Sequence, residues 1–565
     1  MEKLKIVVIG GVACGPKTAA RIKRLKPDAD VTVIEKKELL SYSGCGLPYY
    51  LSGEIKDHKE LMATPVGIVR DTHFFKVVKD IRVLNQTFAK SVARAAKKVT
   101  TVNTMTGEII EIPYDRLVLA VGSTPFLPEI KGVDLKDVYT LSTVEDAREI
   151  RDRRESLKGK KAVIIGGGLI GLEVTEAFRI QGMDVTIVER EDTVLPSHSD
   201  PEMAFHVHNE LRARGVKLAL SSAVSEIKGD DQGKVVSVVT SKGEIQADIV
   251  LVSVGVRPNS SLAKQMGLEI GTTGAIKTDE YLRTSDPDIY AGGDCSEVWS
   301  RQTGKPIYAP MGSTANKQGR IIADNICGIP TKFRGVLGTV IIKIFGLTFA
   351  CTGMTERQAK NEGLDYLTVL NPSPDRPHFM ESAKLLIIKL IVDKKTGKII
   401  GSQMTGPGEA AKRMDVTVSA MSQNANVYDL GQYDLAYAPP YSPAMDNIIT
   451  AANIAENKIS GIAKGYSPAE VMEKIRKDDD FIFLDVRTPD EFAQVRIPDK
   501  RVKHIPLGKL RQAVGDLPKN KEIITFCKIS LRGYEAQRIL EGEGFGNVSF
   551  LDGGVVCWPY EKEGV

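Results

Sequence analysis

Residues 5–15 read KIVVIGGVACG, and residues 161–171 read KAVIIGGGLIG. Each is a run of aliphatic and β-branched residues that stops at glycine, as a strand buried on both faces does. Each is followed by an amphipathic stretch, TAARIKRLKPDAD (18–30) or LEVTEAFRIQGMD (172–184). A second apolar run ending in an acid then closes the unit, VTVIE (31–35) or VTIVE (185–189). Strand, Gly-rich turn, helix and strand make a βαβ unit, and the chain writes it twice. The chemistry implied is two dinucleotide sites on α/β domains, because such a turn lets a pyrophosphate approach the N-terminus of a helix.

The outer limits agree with a multidomain α/β protein. The chain has 565 residues, which predicts three or four domains. Its 76 basic and 72 acidic residues leave a net charge of +4, so no whole-molecule field points to nucleic acid or an anionic membrane. No apolar stretch approaches the roughly 20 residues of a membrane span. The seven cysteines, 14, 45, 295, 327, 351, 527 and 557, are odd in number and form no CxxC pair. That pattern predicts a reducing cytoplasm with neither a disulfide framework nor a metal site.

In the second unit Gly166, Gly168 and Gly171 fit GxGxxG, and Glu189 stands at the end of the next strand. An acid there accepts from a ribose 2′-hydroxyl and repels a 2′-phosphate, so NADH is favoured over NADPH. In the first unit Gly10, Gly11 and Gly15 flank Val12 and Ala13, with Val12 where the middle glycine is expected, and Glu35 supplies the ribose acid. Two later strands end at glycine, LVLAVGS (117–123) with Gly122 and IVLVSVGVRP (249–258) with Gly255. A further strand in TSDPDIYAGGDCSE runs to Asp294.

These paired units, with YDRLVLAVGSTP and IYAGGDCSE, resemble the two-dinucleotide flavoprotein disulfide reductase family over residues 1 to about 450. The resemblance implies two Rossmann-like domains: an FAD-binding domain at 1–112 and 249–329, and an NAD(P)H-binding domain at 113–248. It places Asp294 near the FAD ribityl chain and Ala315 in the same site. After residue 330 strand-like runs (VIIKIFG, LLIIKLIVD, KIIGSQMTG) and a helix from Ala410 to about Asn424 give an α+β dimerisation domain, 330–448. A helix-like connector, 449–465, is expected to link it to a C-terminal α/β domain at 466–565.

Residues 39–53, LLSYSGCGLPYYLSG, hold a lone cysteine between glycines. Family members that use a dithiol carry CxxxxC, but here Tyr50 stands five residues after Cys45. The redox partner of Cys45 is therefore an oxygen species or an exogenous thiol. SYSGCGLPY resembles the signature of the single-cysteine members, which are NADH peroxidases and oxidases or coenzyme A disulfide and persulfide reductases. The peroxidase and oxidase types place a histidine where this chain has Ala13, so the resemblance favours a sulfur substrate. Gly46 is expected to let the backbone come close to flavin.

Lys17, Arg21 and Arg24 stand at i, i+4 and i+7 on one helix face, where coenzyme A reductases hold the phosphates of CoA. By the same resemblance Ser41 and Gly44 belong to the CoA site. DLAYAPPYS is close to the family's YAPPY, which implies that Tyr437 reaches the partner subunit's active site in a homodimer and meets a departing thiolate. Tyr441 reads better as a packed aromatic. The chain departs from the family at Gly44, where asparagine is usual, at Val12, and at His378-Phe379-Met380, where relatives have a second tyrosine.

In EIITFCKISLRGYEAQRIL an apolar strand runs into Cys527 and a helix follows. The short loop from Cys527 to Arg532 is suited to wrap backbone N–H groups around a sulfur anion, with Arg532 adding charge. This resembles the rhodanese domain, whose other mark, DVRTPDEF, begins at Asp485; Asp485 and Arg487 are expected to orient structure. Cys557 reads as packing, and Cys14, Cys295, Cys327 and Cys351 as unpartnered residues in turns or helices. The whole resembles fusions of a coenzyme A disulfide reductase with a rhodanese, described as NADH-dependent persulfide or polysulfide reductases. That implies FAD, NADH (with NADPH as a variant) and coenzyme A, a small-molecule sulfur substrate, Cys45 as redox thiol and Cys527 as sulfane carrier. The rivals are an NADH oxidase or peroxidase working through a Cys45 sulfenic acid, and a sulfur carrier regulated by its flavin part.

Overall fold

The computed structural model describes residues 3–564. The chain divides into two compact units, one running to Asp192 and resuming over Gly215–Val336, the other made of Thr193–Arg214 and the chain from Leu337 onward.

The first unit contains two five-stranded parallel sheets. The order of the first is Ile289–Ala291, Arg116–Leu119, Lys5–Ile9, Asp30–Ile34, Arg82–Leu84. The order of the second is Lys217–Ala219, Asp184–Val188, Lys161–Ile165, Ile249–Val252, Val138–Tyr139. Both quoted stretches are central strands whose last four residues are buried, and each feeds a twelve-residue helix, Cys14–Leu25 or Leu169–Ile180. The first helix buries Cys14, Thr18, Ala19 and Ile22 and packs against helix Gly312–Ile326.

Strand pairing shifts the expected boundaries between these domains. Arg116–Leu119 pairs with Lys5–Ile9, and Ile249–Val252 pairs with Lys161–Ile165, so each strand lies in the sheet opposite to the one the boundaries 112/113 and 248/249 give. In a doubly wound sheet the returning strand completes the sheet it left, after an excursion. Here that excursion is an antiparallel three-stranded sheet, Thr87–Ala93, Lys98–Asn103 and Ile109–Pro113. The crossovers come later, where Ser123–Pro125 and Val256–Pro258 run antiparallel to one another. The strand expected to end on Asp294 ends at Ala291.

The second unit contains an antiparallel sheet in the order Val340–Ile344, Leu347–Gly353, Ile399–Gly406, Leu385–Asp393, Tyr366–Pro374. Helix Ala411–Ser422 lies where the sequence places it. The stretch expected as a helix-like linker does form helix Asn447–Ile459, but its Ile448, Ile449, Ala451, Ala452 and Ala455 enter the same core as strand residues Leu386, Ile388 and Leu390. Small residues at helical spacing make this a packed face rather than a connector. Cys351 sits in a strand, not in a turn or helix.

Fully buried Lys389 is surrounded by Asp200, Glu202 and Glu356, at 2.9, 2.5 and 2.6 Å. Burial works against the lysine charge, but the three carboxylates outweigh it and hold its pKa well above the ordinary value. The same burial pushes the Glu202 carboxyl up.

The C-terminal part of this unit is a five-stranded parallel sheet, in the order Gly465–Tyr466, Val548–Leu551, Glu522–Phe526, Phe481–Asp485, Val502–His504. Its two faces are filled by separate clusters, Leu484, Ile523, Ala536 and Leu540 on one side and Phe481, Phe483, Phe526 and Trp558 on the other. Among the described residues no helix is long and apolar enough to cross a membrane.

Candidate active sites

The two Gly-rich turns are built alike. Gly10 and Gly166 have φ of +115° and +107°, and a Cβ on either would stand 2.1 or 2.4 Å from a carbonyl oxygen, of Ala120 or Ser253. Only glycine takes that conformation at that distance. Gly15 and Gly171 lie against the carbonyls of Gly10 and Gly166 in turn. Glu35 accepts from Gly11 N at 2.6 Å and Lys37 N at 2.9 Å, and Glu189 accepts from Gly167 N at 2.8 Å and Glu191 N at 2.9 Å. Each acid is thereby held beside its own turn.

Both sites fit a dinucleotide. Helices Cys14–Leu25 and Leu169–Ile180 start at Ala13 and Gly168 with no side chain capping them and no acid in the first turn, which leaves the terminal N–H groups for an anion. A Cβ at Gly168, Gly122 or Gly255 would meet nothing within 4 Å, whereas Val12 fills the corresponding place in the first turn with a side chain. Asp294 Oδ2 accepts from Ser123 Oγ at 3.3 Å, its backbone oxygen accepts from Tyr308 Oη at 3.0 Å, and burial pushes its carboxyl up. Ala315 is buried in the first turn of helix Gly312–Ile326.

Cys45 occupies a single 3₁₀ turn, Gly44–Gly46, which leads directly into helix Leu47–Ser52. The residue is exposed, and a Cβ at Gly312 would lie 3.7 Å from its sulfur. Partial burial of the sulfur and the charges of Glu173 and Asp294 push the thiol up. Glu173 was not singled out from the sequence. Desolvation and neighbouring Glu176 bring it to about 7, so it changes charge near neutrality within electrostatic reach of Cys45. Its signal was a single acid, fifth of six residues, inside the otherwise apolar run LIGLEV (169–174).

The residues around Cys45 differ in their surroundings. A Cβ at Gly46 would stand 2.4 Å from Leu61 Cδ2, so a side chain there would have to displace the end of that leucine. Gly44 opens onto empty space. Tyr50 is buried, with the Arg151 guanidinium 4.0 Å above its ring, and serves packing. Ser41, at φ +49°, donates its N–H to Gly11 O at 2.8 Å and accepts from Arg70 at 3.4 Å.

Of the basic helix face, Lys17 and Arg24 are exposed, while Arg21 Nε is 2.8 Å from Asp324 Oδ1, which neutralises it. In the second unit Tyr437 is 53% exposed and so is open to a ligand or partner. Tyr441 is 70% exposed and Phe379 is 68% exposed, so Tyr441 is not the packed aromatic expected. Arg376 Nη1 donates to Pro440 O at 3.1 Å and ties the loop bearing these tyrosines to the segment that holds Phe379.

Cys527 directly follows strand Glu522–Phe526 and is buried ahead of helix Leu531–Gly542. Its loop turns sharply at Ser530, φ +96°. Arg532 forks onto Glu491 at 2.7 and 2.8 Å, and its charge also reaches the Cys527 sulfur. Glu491, a residue of DVRTPDEF not picked out from the sequence, also accepts from Thr488 N and Oγ1 and so caps helix Pro489–Gln494. Arg487 grips Asp485 and donates to Glu491 O and Val495 O, an orienting role. Cys557 is fully buried, and burial raises its pKa well above the thiol range.

Family models match in the same order as the sheets: pyridine nucleotide-disulphide oxidoreductase over residues 4–314, its dimerisation domain over 340–449, and a rhodanese-like domain over 467–560. The chain belongs to the pyridine nucleotide-disulphide oxidoreductase family, with a rhodanese-like domain fused at its C-terminal end. It is 37% identical over 452 residues to the NAD(P)H sulfur oxidoreductase (CoA-dependent) of Pyrococcus abyssi, covering 80% of this chain and 98% of that one. It is 34% identical to an NADH oxidase of Methanocaldococcus jannaschii, covering 81% of this chain and 100% of the other. The solved structure of an NAD-dependent persulfide reductase from A. fulgidus is 45% identical, with a TM-score of 0.93, and covers 98% of this chain and 100% of that one.

Proposed function

We propose that the protein is an FAD-dependent, NAD(P)H-driven reductase of CoA persulfide, polysulfide or CoA disulfide, with Cys45 as the redox thiol and Cys527 as a carrier of sulfane sulfur. The observation that carries this is the presence in one chain of an exposed cysteine with no cysteine partner in its segment and a second cysteine in an arginine-backed loop. A lone thiol completes a disulfide only with an exogenous sulfur.

Bound in the first unit, FAD would supply two-electron transfer between NAD(P)H and the Cys45 sulfur. Gly10, Gly11, Val12, Ala13, Gly15, Glu35, Gly122, Asp294 and Ala315 would hold it; Gly166, Gly168, Gly171, Glu189 and Gly255 would hold the nicotinamide dinucleotide. The Cys45 thiolate attacks the inner sulfur of a CoA persulfide, the S–S bond breaks, and hydrosulfide leaves with the electron pair. The mixed disulfide left on Cys45 takes two electrons, which returns the thiolate and releases CoA. Lys17 and Arg24 suit the CoA phosphates, Ser41 and Gly44 line the approach, and Tyr437 of a partner subunit donates a proton to the departing sulfur. The acid at Glu189 favours NADH.

Anaerobic stopped-flow mixing of the NADH-reduced enzyme with CoA persulfide or with hydrogen peroxide tests the reading. Reoxidation by the persulfide is expected. Reoxidation by peroxide alone would establish the oxidase or peroxidase rival, against which Ala13 stands in place of the histidine of those enzymes.

A further inference from the structure

Strand Tyr366–Pro374 is the edge of the antiparallel sheet, and its outward backbone groups need partners. Two side chains from beyond the sheet supply them. Asp552 Oδ2 accepts from Leu370 N at 3.0 Å, and Lys458 Nζ donates to Thr368 O at 2.7 Å. Lys458 and Asp552 are themselves paired at 2.7 Å, both nearly buried. The Asp552 backbone N–H donates to Tyr466 O at 2.8 Å, which fixes its main chain to the first strand of the C-terminal sheet.

Asp552 opens the turn on which the Cys527 loop rests. Gly553 N donates to Ser530 Oγ at 2.6 Å, Val555 N donates to Cys527 O at 3.0 Å, and Val556 N donates to Lys528 O at 3.0 Å. A Cβ at Gly554 would lie 2.4 Å from Cys527 O, and one at Gly553 would lie 3.3 Å from Leu370 Cβ. The turn is thus clamped between the edge strand and the sulfur loop, with no slack on either side. The other carboxylate oxygen of Asp552, Oδ1, is buried and finds no partner. A lone orphaned oxygen is costly to bury, so the contacts of Oδ2 and of the turn carry that cost.

We propose that Asp552 is a positioning residue for Cys527: through the turn that follows it, docking on strand Tyr366–Pro374 sets the backbone geometry of the sulfur loop, and with it the reactivity of the thiol. This rests on Cys527 being the sulfur-carrying nucleophile. The Asp552→Asn variant keeps the shape and removes the charge that holds Lys458. In the full-length holoenzyme, the alkylation rate of Cys527 by iodoacetamide is followed across pH by peptide mass spectrometry. NADH-dependent flavin reduction in the same samples serves as the control.

The expected result is a rate at pH 7 lower by about threefold or more, with the midpoint of the pH profile moved up and flavin reduction unchanged. A profile superimposable on that of the unaltered protein overturns the proposal, since a purely structural latch would change thermal stability alone. If Asp552→Asn does not fold, Lys458→Met, which takes the ammonium from the same latch, is read in the same way. Incubation of the unaltered protein with CoA persulfide tests the underlying reading separately, because failure of Cys527 to gain one sulfur would remove its carrier role whatever the variants show.

Discussion

Arg532 and Glu491 share two hydrogen bonds, at 2.7 and 2.8 Å, across 41 residues of sequence. The fork fixes the guanidinium plane beside the Cys527 loop, and the arginine draws the Glu491 carboxyl down to about 2. A carboxyl depressed in the folded state stabilises above its unfolded pKa, and that contribution disappears only as the pH falls through about 2. The pair is intact throughout the physiological range.

A lysine at this position carries the charge but not the fork. Arg532→Lys is therefore expected to slow sulfur loading of Cys527 from CoA persulfide by about tenfold, while NADH-driven turnover at Cys45 is retained. Equal loading rates, measured by intact-protein mass, would show that charge alone suffices.

Glu173 opposes the Cys45 thiolate only when it is itself ionised. It titrates at about 7, so below that pH it is largely neutral and above it the repulsion grows. Glu173→Gln should match the unaltered protein in Cys45 alkylation in mild acid and outpace it increasingly as the pH rises past neutrality. A constant ratio across pH would mean that Glu173 does not act on the sulfur.

The glycines flanking Cys45 should respond oppositely. Gly44→Asn places its side chain in open space and is expected to leave thermal stability and flavin content unchanged. Gly46→Ala drives a methyl against Leu61 and should cost about 1–3 kcal/mol, seen in chemical denaturation. Loss of stability in the first variant but not in the second would refute the packing account.

Lys389 is fully buried among three carboxylates, of which Asp200 and Glu202 are buried with it. Lys389→Met leaves Asp200, Glu202 and Glu356 without a counter-charge and is expected to destabilise the second unit by about 3–5 kcal/mol near neutral pH. Protonation of the orphaned acids should recover part of that loss in mild acid. Calorimetry showing a deficit independent of pH would exclude the electrostatic explanation.

Cys45→Ser is expected to abolish persulfide turnover while leaving FAD bound, as read from the flavin absorbance of the purified variant. Retained turnover would remove Cys45 from the chemistry.

What the sequence determined by itself was local. KIVVIGGVACG and KAVIIGGGLIG declare strand, turn and helix because backbone conformation at Gly10 and Gly166 and apolar periodicity act over a few residues. Cys527 followed by Arg532 declares a sulfur loop in the same way. What only the tertiary structure decided was long-range. Whether Arg116–Leu119 completes one sheet or the other depends on pairing across more than a hundred residues, and propensity says nothing about that. The stretch read as a linker became core because Ala451, Ala452 and Ala455 meet a sheet formed before them in the chain. Glu491 and Asp552 were illegible for the same reason, and Glu173 showed only as an acid inside an apolar run. An acid acquires a shifted charge or a holding role only from the groups that folding brings beside it, and those lie far away in sequence.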